Sequence, residues 1–295
     1  MRALLILSVL SAVASAQGFE LEKLSLNSGA RETWLAQTGD GLAPLRLRAS
    51  LLVGYQHRPL VYTVDGQAVG AFVGGRWTAH VLAAFALHEY LELGLQLPVV
   101  LAQSGDDLSS YGLVAPPSAA LGAMRFSVRS TVLRQGERPF DLAVALSLSL
   151  PTGTPTALTK DPGVGLALTP TLGAGYSFGP VRLGLEAGVL IRGAQALSPA
   201  SPSVSDEIGP AFTSALAVST GTLAVPFKAE LAPRVTVPFT AAPASVELLA
   251  AARYTLFEQL ELSLLGGPGF GKTPGTPAFR VLFGASWTPD FSKKD

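Results

Sequence analysis

The sequence predicts an all-β chain: a transmembrane, antiparallel, up-and-down β-barrel of about 12 strands, the architecture of bacterial outer membranes. Three observations predict it. The first is a period-two stripe, clearest in Leu91-Glu92-Leu93-Gly94-Leu95-Gln96-Leu97, where one parity is Leu throughout and the other is polar or Gly. Successive side chains of a strand point to opposite faces, so such a segment offers one face to lipid and one to a polar interior. The second is composition. Of 295 residues, 48 % are hydrophobic and only 14 % charged, with a mean hydropathy of +0.39, yet beyond the first residues no apolar run is long enough for a membrane helix. A barrel dilutes its apolar residues one in two, which gives this combination. The third is a regular alternation of short and long connections.

In chain order, Arg2, the apolar stretch 3–13 and Ala14-Ser15-Ala16 have the layout of a cleaved export signal. The expected division is a signal peptide at 1–16, a periplasmic arm, lumen plug or added strand at 17–43, the barrel at 44–288 and a periplasmic tail at 289–295. Within 17–43, Phe19, Leu21 and Leu24 precede the turn signal Asn27-Ser28-Gly29, and Trp34 and Leu35 precede Gly39-Asp40-Gly41. The first strand, 45–56, carries Leu45, Leu47, Ala49, Leu51, Val53 and Tyr55 on one face and Arg46, Arg48, Ser50 and Gln56 on the other. Alternation bounded by Gly, Pro, Asn and Asp then predicts strands 76–87, 90–101, 122–134, 139–150, 164–178, 181–192, 207–220, 223–237, 244–254, 259–265 and 277–287.

The short connections are 88–89, 135–138, 179–180, 221–222 and 255–258. The long ones are 57–75, 102–121, 151–163, 193–206, 238–243 and 266–276. Short periplasmic turns alternating with longer outer loops mark an outer-membrane barrel, whereas a soluble sandwich predicts no such order. An even strand count is expected to leave both chain ends in the periplasm. Phe140, Phe178, Phe257 and Trp287 fall near the short-turn ends, and Tyr55, Trp77, Phe126, Phe212, Phe239 and Phe279 near the long-loop ends, as two interfacial aromatic bands require.

The polar parity collects the charges expected to line the lumen: Arg46, Arg48, His80, Glu92, Arg125, Arg129, Asp141, Arg182, Glu186, Lys228, Glu230, Arg234, Glu247, Arg253, Glu261 and Arg280, with Arg192 and Glu207 beside them. An Arg or Lys facing lipid at mid-depth costs roughly 2–4 kcal/mol, so inward placement sets the register. Two interiors fit this parity: a pore lined by mixed charges, or a lumen closed by Arg–carboxylate networks. With both signs represented on that parity in near balance, neither strong anion nor strong cation selectivity is expected.

Other motifs carry little. Gly266-Gly267-Pro268-Gly269-Phe270-Gly271-Lys272-Thr273 spells a phosphate-binding loop, but Pro274-Gly275-Thr276-Pro277 forbids the helix that loop must open. An outer-membrane lipid hydrolase would need a Ser–His pair. His57, His80 and His88 are the only histidines, and outward Ser130 and Ser214 have no outward strand histidine to meet. Asp106-Asp107 with Asp65 is a weak calcium signal. With no cysteine and no basic stripe, neither thiolate metal sites nor nucleic-acid binding is expected. No catalytic residue, cofactor or metal site is assigned. The last strand, alternating from Phe279 to Trp287 and ending on an aromatic, resembles the signal by which the barrel-assembly machinery recognises its clients. Outer-membrane lipids are the other expected partner.

Several stretches resemble OmpA-family outer-membrane barrels of the myxobacterial type. They are Gly18-Phe19-Glu20-Leu21-Glu22, Leu26-Asn27-Ser28-Gly29-Ala30-Arg31, Thr38-Gly39-Asp40, Tyr55-Gln56-His57-Arg58-Pro59-Leu60-Val61, Leu93-Gly94-Leu95-Gln96-Leu97-Pro98-Val99-Val100 and 266–280. The resemblance implies the fold and an outer-membrane location. Members of that family continue into acidic calcium-binding repeats and a peptidoglycan-binding domain. This chain stops after the barrel, so peptidoglycan anchoring is not carried over. The expected function is a porin-like channel for small polar solutes. The alternatives are a structural or adhesion barrel whose outer loops, 102–121 and 193–206, meet a partner, and, further off, a lipid hydrolase.

Overall fold

The structure, a computed structural model, describes residues 18–29, 31–64, 66–161, 164–196, 207–220, 226–271 and 273–289. The expected signal peptide, the 221–222 turn, Asp65, Lys272 and most of the tail lie outside these residues. Twelve strands form one closed antiparallel ring. They are β1 (Leu47–Val64), β2 (Gln67–His88), β3 (Leu91–Ser104), β4 (Met124–Leu133), β5 (Asp141–Leu150), β6 (Ala167–Phe178), β7 (Val181–Leu190), β8 (Ala211–Thr220), β9 (Phe227–Pro238), β10 (Ser245–Phe257), β11 (Leu260–Phe270) and β12 (Phe279–Trp287). Each pairs with its sequence neighbours. The ring closes where β1 meets β12, in register from Ala49↔Trp287 to His57↔Phe279. Closure leaves no open edge at membrane depth, where an unpaired backbone group has no water to bond.

Parity behaves as the apolar stripe requires. Leu51, Val81, Leu93, Val128, Leu146, Leu172, Leu185, Leu216, Leu231, Leu248, Leu264 and Phe283 are exposed on the outside, the surface that lipid covers. Outer aromatics gather at the long-loop end, where Tyr55 lies 5.2 Å from Trp77 and 6.0 Å from Phe279 between ring centroids. At the short-turn end, Arg134 stands 4.9 Å over the Tyr90 ring.

The connection expected at 57–75 is corrected. β1 and β2 continue as a hairpin to Val64↔Gln67. Arg58, at φ 50°, and Pro59 interrupt the alternation, and the ladder skips from His57 to Leu60 before resuming. Such a bulge leaves residues unpaired yet lets the strand go on. β11 likewise runs to Phe270 rather than ending at Leu265. Pro268 has no amide to donate, so pairing with β10 lapses between Gly266 and Gly269, while pairing with β12 continues. The phosphate-loop letters therefore lie mostly in a strand, and Thr273 donates its hydroxyl to the Pro243 carbonyl. In the other direction, Glu207–Ile208 leaves β8 and pairs with Gln195–Ala196 within the connection.

Residues 18–29 and 31–43 form no strand of the ring. Their hydrogen bonds reach inward side chains of β3, β4, β7, β9, β10 and β12, as set out below, so the segment runs inside the ring. Phe19 and Leu21 pack with Val73, Leu158 and Ile208 at the long-loop end. Leu42 packs with Ala84 and Ala86 at the short-turn end. Phe19 and Leu21 thus stand at the opposite end of the ring from Leu42. The segment starts among the outer connections, where the Leu21 amide bonds the Leu158 carbonyl at 3.1 Å, and descends the lumen to enter β1.

Candidate functional site: the occupied lumen

An irregular segment at membrane depth must have its amides and carbonyls bonded by the protein around it. The inward charges supply those bonds. Beginning at the long-loop end, Arg125 donates to the carbonyls of Leu24, at 3.0 Å, and Glu22. Gln96 accepts from the Leu26 amide at 3.2 Å and donates to the Leu24 carbonyl at 3.0 Å. Arg234 donates to the Ser25 carbonyl at 3.0 Å. Lower down, Glu230 accepts from two consecutive amides, Trp34 at 2.7 Å and Leu35 at 3.0 Å. Glu186 accepts from the Gln37 amide at 2.7 Å, and Arg182 donates to the Thr38 carbonyl at 2.7 Å. Arg253 donates to the Glu32 carbonyl at 2.6 Å, and Lys228 to the Arg31 carbonyl at 3.0 Å. Near the short-turn end, Glu92 accepts from the Leu42 amide at 2.9 Å.

The same charges pair with one another. Arg129 meets Glu92 at 2.7 Å, and Arg182 meets Asp141 at 2.7 Å and Asp40 at 3.4 Å. Glu261 binds both Arg48, at 2.5 Å, and Arg253, at 3.5 Å. Arg280 joins Glu247, at 2.8 Å, to Glu22 of the inner segment, at 3.0 Å. His80 lies 3.8 Å from Glu22 and 3.2 Å from the Gln96 amide nitrogen. Arg46 donates to the Pro289 carbonyl at the short-turn end.

Sequence reading does not single out several members of this network. Glu22 and Gln96 are central to it. Arg76, wholly buried, donates to the Leu158 carbonyl. Asp161, in the connection after β5, pairs with Arg192 at 3.2 Å and accepts from the Glu20 amide.

A uniformly polar interior is corrected. Leu52, Leu82, Leu249, Leu265 and Leu282 sit on the inward parity and are almost fully buried. They pack with Leu24, Leu26, Trp34 and Leu35 of the inner segment. These leucines are stable on the inside because the segment covers them with apolar side chains instead of water. On another wall, glycines make room for the backbone. A Cβ at Gly173 would fall 2.1 Å from the Gln37 carbonyl oxygen, one at Gly175 2.1 Å from that of Thr38, and one at Gly184 2.0 Å from Thr38 Cγ2. These inward glycines of β6 and β7 form the slot that seats residues 37 and 38.

The segment does not fill the whole lumen. A cavity of about 120 Å³ remains between residues 20–25 and 37 and the wall from β5 to β10, towards the long-loop end. Ser147, Ser149, Thr169, Thr171, Thr213 and Thr236 give it a hydroxyl-rich wall.

The serines and histidines weighed for lipid hydrolysis lie apart among the described residues. Ser130 pairs with Leu91 beside the short turn, and Ser214 sits on β8 opposite Ala187. His57 stacks on Phe279 at the long-loop end, with centroids 5.1 Å apart, and His80 is buried in the lumen. No serine meets a histidine there. Asp106 spends its carboxylate on the Ala71 amide at 2.6 Å and Asp107 on the Ser109 amide at 3.0 Å. The latter bond holds the exposed Asp107 carboxyl below the usual range.

No protein-family model matches the chain, and a search of curated proteins finds no relative. Solved structures do match. The chain is similar to the COG4313 outer membrane channel from Pseudomonas putida F1, with a TM-score of 0.60 and 13 % identity, over 90 % of this chain and all of that one. It is also similar to the NanC porin, with a TM-score of 0.53 and 6 % identity, over 81 % of this chain and 98 % of that one. At such identities the likeness is one of fold, and the fold is that of outer-membrane β-barrels.

Proposed function

We propose that the chain is a narrow outer-membrane channel for small polar solutes, in which residues 18–43 act as a fixed internal strap that constricts the lumen. The observation that carries this reading is the cavity left between strap and wall on the β5–β10 side, with hydroxyl and charged side chains among its lining. The fold shared with a channel and a porin supports it. The location in a Gram-negative outer membrane, the OmpA-family resemblance, the mixed-charge solute path and the use of β12 as an assembly signal belong to the same proposal. Planar-bilayer recording tests it. The full chain is expected to show small, resolvable conductance steps, and deletion of residues 18–43 is expected to enlarge them severalfold. Absence of conductance from both proteins would overturn the channel reading.

The packed side of the lumen favours a second reading, a structural barrel whose outer connections bind a partner. Under that reading the full chain is silent in the bilayer, and trimming the β1–β2 hairpin and residues 105–119 abolishes surface binding.

A further inference from the structure

The charges around the cavity differ in how completely they are paired. Arg192 is held by Asp161 at 3.2 Å, Arg125 lies 3.9 Å from Glu20, and Glu247 is bound by Arg280 at 2.8 Å. Glu186 and Arg234 are not held in this way. Both are half-buried and both line the cavity, yet among the described residues neither forms an ion pair within 4.0 Å. Each makes one bond to the strap, to the Gln37 amide and the Ser25 carbonyl respectively. The remaining carboxylate oxygen and the remaining guanidinium donors have no bond to another described residue.

Register explains why they stand apart. Glu186 on β7 and Arg234 on β9 both pair with the same residue of β8, Ala215. The two charges therefore occupy one transverse row of the inner wall, separated by the width of a single strand whose side chain is a methyl group. Neighbouring strands lie about 4.8 Å apart, so the two Cα atoms are roughly 10 Å apart along that row. A negative and a positive group thus face one cavity at the same depth, with no ion pair between them within 4.0 Å among the described residues. Hydroxyls line the wall around them. Water-sized sites of about 10–15 Å³ each put roughly ten heavy atoms into a cavity of about 120 Å³.

We propose that this cavity binds a small zwitterion of the α-amino acid class, its carboxylate on Arg234 and its ammonium on Glu186, both of which line it. The guanidinium offers paired donors in a fork that matches a carboxylate. Lys23 of the strap lines the same cavity, without an ion pair within 4.0 Å among the described residues. This inference rests on the channel reading for its purpose, but binding at the site is measured without any conduction.

The test is equilibrium binding to the purified full chain in detergent by calorimetry, with L-alanine as the zwitterion, L-lactate as the matched anion and L-alaninamide as the matched cation. L-alanine is expected to bind about tenfold more tightly than either, the worth of one charge-assisted contact. Arg234→Gln and Glu186→Gln are each expected to remove that preference. Glu186→Gln keeps an acceptor for the Gln37 amide, so loss of preference there reports the charge and not the fold. Equal affinity for the three ligands, no measurable binding, or an unchanged preference in both variants would overturn the proposal. If L-alanine binds while bilayers stay silent, the site stands and the channel reading falls. If bilayers conduct and L-alanine does not bind, the reverse holds.

Discussion

At the scale of single residues, inward charges of this barrel act as hydrogen-bond partners for a backbone that cannot bond itself. Glu230 is the clearest instance, since one nearly buried carboxylate accepts from the Trp34 and Leu35 amides together. Glu230→Ala leaves both donors without a partner, at about 1–3 kcal/mol for each buried group left unsatisfied. The expected outcome is a lower urea midpoint, with Glu230→Gln recovering part of the loss because it keeps an acceptor. An unchanged midpoint in Glu230→Ala would mean that the strap is not held there. Parity alone places these charges on one face. It does not say what they hold, because an irregular segment has no periodicity to read. The inward glycines Gly173, Gly175 and Gly184 are the legible sign of a close backbone approach.

At the scale of elements, the strands are readable wherever alternation is unbroken and misread wherever a bulge or proline interrupts it. β3 covers almost all of its expected 90–101, since alternation is unbroken from Leu91 to Leu97, and runs on past Pro98 to Ser104. Alternation ends β1 too early at Arg58-Pro59, although pairing resumes at Leu60, and ends β11 too early at Gly266-Gly267-Pro268, although β12 continues to pair across it. The outward parity of β10 and β11 makes a depth-dependent prediction. Leu264 projects outward well inside β11, and Leu256 outward beside the short turn. Leu264→Arg is expected to cost roughly 2–4 kcal/mol and Leu256→Arg about 0–1 kcal/mol, following the depth profile of lipid-facing arginine. Unfolding in lipid vesicles measures both, and equal costs would contradict the assigned membrane depth.

At the scale of the whole molecule, the barrel supplies a closed wall and the strap decides what remains inside. One side of the lumen is an apolar core built by Leu24, Leu26, Trp34 and Leu35 against inward leucines. The other is a cavity with Glu186 and Arg234 on one row. The sequence contains no cysteine, so an introduced pair reports a single proximity. A Cβ at Gly184 would stand 3.2 Å from Thr38 Cβ, close to the roughly 3.5–4.5 Å of a disulfide. The most direct measurement of the strap's position is therefore oxidation of the Thr38→Cys/Gly184→Cys double variant in the membrane, read as altered mobility on a non-reducing gel. The strap described here predicts near-complete cross-linking that reduction reverses. Failure to cross-link, with the thiol introduced in the strap freely labelled by a membrane-impermeant maleimide, would show that residues 18–43 do not lie in the lumen.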